Sequence, residues 1–361
     1  MVTNSAPTKI GIIGAGNIAG PYAKDFKTYD NLALVGVADV DPARAEKFAA
    51  EHETRAYASL DDLLADSSVE LVVNLTTHTA HKSVSEAALN AGKHVYSEKP
   101  LATTYEDAAF LVDLAAQKGL RLGCSPFTLM GEAQQTVWKL LREGRTGKIR
   151  VVYAEVNWAR IESWHPEPQS FYDIGPLFDV GVYPLTILVS IFGPARLVSS
   201  YGTVVYPDRV SKHGVPFHIT TPDFGVTMVE MADGTVVRLT TNFYVGHHNK
   251  QTGLEFHGDL GSVYLKAWQD FDSLVEFSEF GNDKKYAAVD LVRTPTARTP
   301  WGRGVWEMVT AIQENRPHRF TGEMAAHVTD ILASAQRSMQ EGRPVDVAST
   351  FTPPAPMEWA E

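Results

Sequence analysis

Apolar runs and helix-like segments alternate through the first third of the chain. The runs lie at 9–13, 32–38, 71–75, 94–97 and 121–124, and the helix-like segments lie at 43–52, 82–91 and 105–118. Strands that are apolar throughout and separated by helices are typical of a parallel sheet covered on both faces. We therefore predict a doubly wound α/β domain of the Rossmann type over residues 1–127.

The pattern changes after a connecting helix predicted at 131–144. Strand candidates then follow one another, with one helix near 177–192. Strands that follow strands are typical of an antiparallel sheet, so residues 128–361 are predicted to form an α+β domain with a large, mostly antiparallel open sheet. This domain is expected to bind the substrate and to mediate oligomerisation, and its C-terminal helices and tail could pack back on the first domain. The strand candidates lie at 149–158, 196–205, 225–231, 235–244, 253–257, 262–265 and 274–277, and the last helices lie at 304–314 and 322–341.

The first apolar run ends in a Gly-Ala-Gly-Asn-Ile-Ala turn at 14–19. Gly14 and Gly16 lack a Cβ, so a pyrophosphate can approach the backbone and face the N–H groups that begin the next helix. The second run ends at Asp39, whose carboxylate can accept hydrogen bonds from an adenosine ribose. Asp39 and Asp41 would repel a 2′-phosphate, so the motif predicts NAD and makes NADP less favoured. The alternative is that Asp39 only caps its strand and starts the next helix.

Composition narrows the choice of partners. The 361 residues include 43 acids and 32 bases, giving a net charge of −11, which argues against nucleic acid or an anionic membrane as the main partner. The lone cysteine, Cys124, forms no internal disulfide and favours a reducing compartment. We see no targeting segment and no apolar run long enough to cross a bilayer, so a cytoplasmic location is expected. The histidines lack a zinc-like spacing, and no metal site is predicted.

Two polar motifs are candidates for chemistry. A Glu-Lys-Pro string at 98–100 follows the fifth strand, and ligands bind beyond the carboxyl ends of the strands in an open α/β sheet, so Lys99 should project toward the nicotinamide. Asp179 and Tyr183 stand four residues apart and share a face if their segment is helical. Pro184 predicts that this helix starts late or kinks. The alternatives are a solvated lysine, a helix-capping aspartate and a tyrosine of the core.

The segment 157–166 precedes the predicted helix and should border the substrate. It carries Arg160, Trp164 and His165. Tryptophan faces and arginine forks suit sugar rings and anionic substituents. A core tryptophan and a surface arginine are the alternative interpretation.

The chain resembles the Gfo/Idh/MocA family over nearly its whole length. Tyr183 stands where many members carry histidine, as it does in the glucose–fructose oxidoreductase and dihydrodiol dehydrogenase branches. The usual Thr-Pro after the fourth strand is replaced by Thr-His at 77–78. The resemblance rests on Gly-Ile-Ile-Gly-Ala-Gly-Asn-Ile-Ala at 11–19, Ala-Gly-Lys-His-Val-Tyr-Ser-Glu-Lys-Pro at 91–100, Asp-Val-Gly-Val-Tyr at 179–183 and His-Gly-Asp-Leu-Gly-Ser at 257–262.

The resemblance implies three catalytic side chains around the reacting carbon, which are Lys99, Asp179 and Tyr183. It also implies that further residues, beyond the glycine turn, contact the cofactor. The expected cofactor-binding residues are Gly14, Gly16, Asn17, Ile18, Asp39, Thr76, His81, Glu98, Lys99, Pro100 and Trp164, and the expected substrate-binding residues are Lys99, Arg160, Trp164, His165, Asp179 and Tyr183.

These features predict an NAD-dependent oxidoreductase acting on a secondary CH–OH group of a sugar, sugar derivative or cyclitol. Such a reaction needs a hydride acceptor at the C–H and a base at the O–H. Tyr183 is the candidate base; a free tyrosine has a pKa of about 10, and a neighbouring cation such as Lys99 would lower it. Lys99 would also hold the substrate oxygen, and Asp179 would orient Lys99 or a substrate hydroxyl.

Two other functions stay open at this point. One is an NAD-dependent glycoside hydrolase that oxidises a ring hydroxyl, eliminates the glycosidic oxygen, adds water and reduces the ring again. The other is a catalytically silent NAD-binding regulator. The resemblance further implies a homo-oligomer, a dimer or tetramer, formed through the open face of the second domain's sheet.

Overall fold

The computed structural model describes residues 6–361 and divides the chain into two compact units. The first unit runs to Phe127 and resumes over Pro300–Thr329; the second comprises Thr128–Thr299 and Asp330–Glu361. The predicted second domain, 128–361, therefore differs in one segment, because Pro300–Thr329 belongs to the first unit.

The first unit contains a six-stranded parallel sheet in the order β3-β2-β1-β4-β5-β6. This is the order of a Rossmann domain, so the predicted fold class is confirmed for this unit. The central strands of this sheet are buried along most of their length and form its core, whereas the two-residue edge strand is not buried. The strands are β1 (Thr8–Ile13), β2 (Leu32–Ala38), β3 (Arg55–Ala56), β4 (Leu71–Asn74), β5 (His94–Ser97) and β6 (Leu122–Cys124), and the helices are α1 (Ala19–Phe26), α2 (Pro42–His52), α3 (Leu60–Ala65), α4 (His81–Asn90) and α5 (Tyr105–Gln117).

The second unit is built on a nine-stranded sheet in the order β16-β15-β14-β13-β7-β12-β11-β8-β17. Only β7 and β12 pair in parallel, so the predicted mostly antiparallel sheet is confirmed. A separate two-stranded hairpin, β9–β10, was not predicted. The elements are α6 (Glu132–Arg142), β7 (Ile149–Asn157), α7 (Gln169–Asp179), α8 (Val182–Phe192), β8 (Ala195–Thr203), β9 (Asp208–Val210), β10 (Pro216–His218), β11 (Phe224–Met231), β12 (Val236–Asn242), β13 (Gly253–Gly258), β14 (Gly261–Leu265), β15 (Val275–Glu279), β16 (Ala287–Ala288) and β17 (Val345–Asp346), with 3₁₀ turns at Thr128–Met130, Ile161–Ser163 and Glu358–Ala360.

Two helices complete the chain. Helix α9 (Arg303–Gln313) buries Val305, Met308 and Val309 in the core of the first unit. These contacts are the physical reason why the segment belongs to that unit. Helix α10 (Gly322–Glu341) contains the division between the two units.

The predicted single helix at 177–192 is wrong, because the structure has two helices there. Gly175 has a φ of +77° inside α7, and α8 starts only at Val182. Pro184 lacks the N–H that would continue the ladder, so the predicted late start is confirmed. Asp179 closes one helix and Tyr183 opens the next, so they are not neighbours on one helix face.

The prediction that no apolar run is long enough to cross a bilayer is wrong for one stretch, Gln169–Phe192. By length and composition it passes that test, although 78% of its most apolar window is buried inside the fold. Buried core helices commonly meet the same criterion, so this is weak evidence for a membrane span.

Candidate active site

The glycine turn of the first unit is fixed against the neighbouring strands. Gly14 has a φ of +98°, and a Cβ added there would lie 2.6 Å from the carbonyl oxygen of Leu75. The Ala15 N–H donates to Asp39 Oδ2 at 2.7 Å, and the Asp41 N–H donates to the other carboxylate oxygen at 2.8 Å. Asp39 therefore does more than the alternative interpretation of a simple cap requires, since its carboxylate joins the glycine turn to the loop after β2.

This arrangement fits an adenine dinucleotide. Within the described chain no side chain caps α1 at Ile18, so the helix N-terminus is left for a ligand. A Cβ on Gly16 would meet no heavy atom within 4 Å, so the space beside the turn is open. Each oxygen of Asp39 accepts one hydrogen bond and keeps a lone pair for a ribose hydroxyl.

Alanine at the two glycines is expected to separate folding from cofactor binding. Gly14→Ala should destabilise the protein even without NAD, by about 1–2 kcal/mol from the positive φ alone, because backbone atoms also block the Cβ. Gly16→Ala should leave the unfolding free energy nearly unchanged and weaken NAD binding about tenfold or more. Urea unfolding and NADH fluorescence titration measure the two effects, and equal behaviour of the two variants would contradict this assignment.

Backbone carbonyls from two loops of the first unit meet at one histidine. His81, which is 2% exposed, places Nδ1 2.7 Å from Pro100 O and Nε2 3.1 Å from Thr76 O. Burial lowers the pKa of His81. A neutral imidazole has one N–H, so it donates to only one of the two carbonyls. His81 thus positions the loops after β4 and β5.

Side-chain hydrogen bonds also hold the loops that follow β4 and β5. Glu98 Oε1 accepts a hydrogen bond from the buried Tyr22 hydroxyl at 2.7 Å, and Glu98 Oε2 accepts one from the Lys99 N–H at 3.1 Å. Thr76 donates its hydroxyl to Asn74 Oδ1 at 2.6 Å. Lys99 itself is partly exposed at the carboxyl end of β5 and precedes a cis proline. The predicted cofactor-binding residues of the first unit therefore lie beyond the carboxyl ends of β1, β2, β4 and β5, whereas Trp164 belongs to the second unit.

The free energy of unfolding of the first unit should decrease as the pH is lowered, because two of its buried histidines resist protonation. Burial lowers the pKa of both His81 and His318, the second of which lies 3.0 Å from Leu122 O through Nε2. Below about pH 6.5 the unfolded chain takes up protons that the folded chain does not, so the unfolding free energy decreases as pH falls. We expect a loss of up to about 1.4 kcal/mol per pH unit for each histidine.

Urea midpoints at pH 7.5, 6.5 and 5.5 measure this loss. The exposed His213 provides the matched control, since His213→Gln should leave the slope unchanged while His318→Gln reduces it. A stability that is flat over this range would contradict the prediction.

In the second unit Tyr183 lies at one end of a row of aromatic rings, formed with Trp268 and Trp158 and called the aromatic wall below. The Tyr183 ring lies 4.8 Å from that of the buried Trp268, and Trp268 lies 5.6 Å from Trp158, measured between ring centres. Trp158 also contacts His247 at 5.6 Å. The partly exposed Asp179 lies across the break between α7 and α8. Sequence reasoning missed Trp268, because one tryptophan in an irregular polar loop belongs to no periodic pattern.

The segment after β7 carries the other predicted substrate residues. Trp164 is 47% exposed and packs edge-on against His165 and Phe171, at 5.3 and 6.0 Å between ring centres. His165 Nδ1 lies 3.1 Å from the Glu167 N–H. Arg160 lies against two tyrosine rings.

A buried ionic cluster holds this segment in place. Arg209, 1% exposed on β9, bonds Glu162 Oε1 at 2.7 Å and also bonds Asp223 Oδ2. The Tyr172 hydroxyl donates to the second oxygen of Glu162, and the Val205 N–H donates to the second oxygen of Asp223 at 2.6 Å. Sequence reasoning gave Arg209 no role.

No group of three or more His, Cys, Asp or Glu side chains within residues 6–361 is arranged to hold a metal ion. The buried thiol of Cys124 has a pKa raised by burial and by Glu98. A raised pKa suppresses the thiolate, so this cysteine is a poor nucleophile.

Comparison with known proteins identifies the family. Residues 8–125 match the model of the Gfo/Idh/MocA oxidoreductase family with an NAD-binding Rossmann fold, and residues 134–264 match the model of its C-terminal domain. The chain is 28% identical over 263 residues to a dTDP-3,4-didehydro-2,6-dideoxy-alpha-D-glucose 3-reductase of Saccharopolyspora spinosa, covering 72% of this chain and 74% of the relative. It is 28% identical over 264 residues to the 1,5-anhydro-D-fructose reductase of Ensifer adhaerens, covering 70% and 74%.

A solved structure has the same fold. Levoglucosan dehydrogenase in complex with NADH and L-sorbose matches with a TM-score of 0.84 at 18% identity, over 95% of this chain and 99% of that one. The chain belongs to the Gfo/Idh/MocA family of oxidoreductases, and its first unit is the family's NAD-binding Rossmann domain.

Proposed function

We propose that the protein is an NAD-dependent dehydrogenase or reductase of a secondary CH–OH group in a sugar, sugar derivative or cyclitol. The observation that carries this proposal is the placement of Tyr183 at the start of α8, on an aromatic wall formed by Trp268 and Trp158. Aromatic faces suit the C–H faces of sugar rings, and a phenol beside them can reach a ring hydroxyl. The two curated relatives described above are reductases of sugar-like compounds, which supports the same substrate class.

The proposed chemistry assigns one task to each polar side chain. When bound, NAD supplies the acceptor for the hydride that leaves the carbon. Tyr183, in its phenolate form, takes the hydroxyl proton and becomes a phenol as the C–H bond breaks and the C=O bond forms. By the family resemblance, Lys99 is assigned to the substrate oxygen, whose negative charge a lysine favours, and Asp179 is assigned to a neighbouring substrate hydroxyl. In the reverse direction Tyr183 returns the proton to the carbonyl oxygen.

NAD rather than NADP is the proposed physiological cofactor. Asp39 lies beside the glycine turn, where its carboxylate would repel a 2′-phosphate. Arg44, the first arginine after Asp39 along the chain, pairs with Asp41, and its Nε lies 3.4 Å from the carboxylate. An arginine already paired with a carboxylate is less available to a phosphate.

A homo-oligomer is proposed to form through the outer face of the nine-stranded sheet. Tyr153, Arg238 and Met228 lie side by side there, by the register of β7, β12 and β11. Tyr201 lies on the same face, and all three apolar or aromatic members of this group are exposed. Exposed apolar residues that share one face favour association with a second surface. The dimer or tetramer and the cytoplasmic location stay predictions.

The experiment that tests the function is a substrate panel. Sugars, cyclitols and aryl glycosides are incubated with NAD, and NADH formation at 340 nm and aglycone release are both recorded. The proposal expects NADH in proportion to ketone formed. Aglycone release without NADH would instead indicate the glycoside hydrolase, which the relatives do not support, and the absence of any turnover would indicate a regulator.

A further inference from the structure

Arg160 is held in the angle between two tyrosine rings of the second unit. Its guanidinium carbon lies 4.7 Å from the ring centre of Tyr206 and 4.5 Å from that of Tyr244. The two rings are 5.9 Å apart and inclined at 62° to each other. Cation–π contacts to two rings restrict the guanidinium to one orientation, so its N–H fork is directed before any ligand binds.

Two carboxylates of the same unit, Glu162 and Asp223, are already paired with other groups. Glu162 gives one oxygen to Arg209 and the other to the Tyr172 hydroxyl. Asp223 gives one oxygen to Arg209 and the other to the Val205 N–H. All four carboxylate oxygens therefore have donors, and no carboxylate of the described chain pairs with Arg160.

A second cation contacts the segment that carries Arg160. Lys212, at the tip of the β9–β10 hairpin, donates from Nζ to the carbonyl oxygen of Trp164 at 2.9 Å and forms no ion pair within residues 6–361. A partly buried, pre-oriented guanidinium without a counter-charge is suited to a ligand oxyanion.

We propose that Arg160 selects substrates that carry an oxyanion, a carboxylate or a phosphate, on the sugar-like molecule. The inference rests on the proposed function, because it names the class of substrate that this oxidoreductase prefers. The guanidinium binds the oxyanion through two parallel N–H donors, and Lys212 adds to the positive potential. The alternative role of Arg160 as a surface arginine predicts no preference between acidic and neutral sugars.

Matched substrate pairs test this inference. The pairs are D-glucose with D-glucuronate, D-galactose with D-galacturonate, and D-glucose with D-glucose 6-phosphate, so that the two oxyanions are tried separately. For the wild type, kcat/KM from NADH formation and Kd from calorimetry on the NADH complex should favour at least one acidic member by about 10- to 100-fold. Arg160→Gln should bring the acidic-to-neutral ratio to within about twofold, and Arg160→Lys should retain part of it because the charge remains without the fork.

Lys148→Gln is the matched control. Lys148 is an exposed cation that precedes β7, at the other end of the strand that leads to Arg160, and its Nζ donates to Asp233 O at 2.9 Å. This variant should keep the wild-type ratio. The inference is wrong if every neutral sugar has a kcat/KM equal to or above that of its acidic partner, or if Arg160→Gln leaves the acidic-to-neutral ratio unchanged. Either result would leave the proposed dehydrogenase function standing.

Failure of the proposed function has a different signature. If no sugar of either kind yields NADH, the oxidoreductase assignment on this panel fails, and calorimetry still decides the role of Arg160. Acid-selective binding that is lost in Arg160→Gln would support the oxyanion site, and equal binding of both members would refute it.

Discussion

Tyr183→Phe is expected to lower kcat by about 100- to 10,000-fold while leaving NADH binding within about twofold. The substitution removes only the hydroxyl, and the ring that packs 4.8 Å from Trp268 is kept. Loss of turnover can then be assigned to the proton acceptor rather than to a disordered α8. Initial rates of NADH formation at saturating substrate give kcat, and a fluorescence titration with NADH gives the Kd for the cofactor.

Tyr264→Phe is the control for this prediction. Tyr264 on β14 donates its hydroxyl to the carbonyl oxygen of Thr252 at 2.9 Å and has no assigned role in the reaction, so the variant should retain wild-type kcat. The assignment of Tyr183 is wrong if Tyr183→Phe retains more than a tenth of the wild-type kcat. A large fall in NADH affinity together with kcat would instead indicate a structural effect.

Most of the first unit could be predicted because its signals are local, although the two-residue strand β3 and the short helix α3 were missed. Each buried strand is a continuous apolar run, and Gly14 stands where a positive φ and the nearby Leu75 carbonyl exclude any side chain. The segment Pro300–Thr329 left no such signal. Its helix α9 is an ordinary amphipathic helix, and only packing against Ile10 and Tyr96 assigns it to the first unit.

The second unit shows where local patterns fail. The residues 177–192 are almost uniformly apolar, so periodicity alone does not reveal that one helix ends at Asp179 and another begins at Val182. That break separates Asp179 from Tyr183. The two-tyrosine contact of Arg160 joins residues far apart in sequence, which no local spacing predicts.

Arg209 is the clearest example of a residue whose burial cannot be predicted from the neighbouring sequence. It lies on a three-residue strand in a polar stretch, where a sequence alone suggests a solvated side chain. The structure buries it because Glu162 and Asp223, 47 and 14 residues away along the chain, converge on its two terminal nitrogens. A buried charge is tolerated only with such partners.

Arg209→Met is accordingly expected to lower the free energy of unfolding of the second unit by about 3–5 kcal/mol. The methionine fills part of the volume but leaves two carboxylates, 9% and 0% exposed, without a counter-charge. Arg196→Met is the matched control, since Arg196 pairs with Glu230 at the surface and such pairs contribute at most about 1 kcal/mol. Urea unfolding followed by tryptophan fluorescence compares the two variants.

Adding Glu162→Gln and Asp223→Asn to Arg209→Met distinguishes unpaired charge from lost packing. If the cost comes from two buried carboxylates, the triple variant should recover most of the stability, because no charge is left in the cluster and the amides can still bond to Tyr172 and the Val205 backbone. If the cost comes from the shape of the arginine, the triple variant should be no more stable than Arg209→Met. A single variant no more costly than Arg196→Met would contradict the role of this cluster altogether, and would leave the position of Arg160 dependent on Tyr206 and Tyr244 alone.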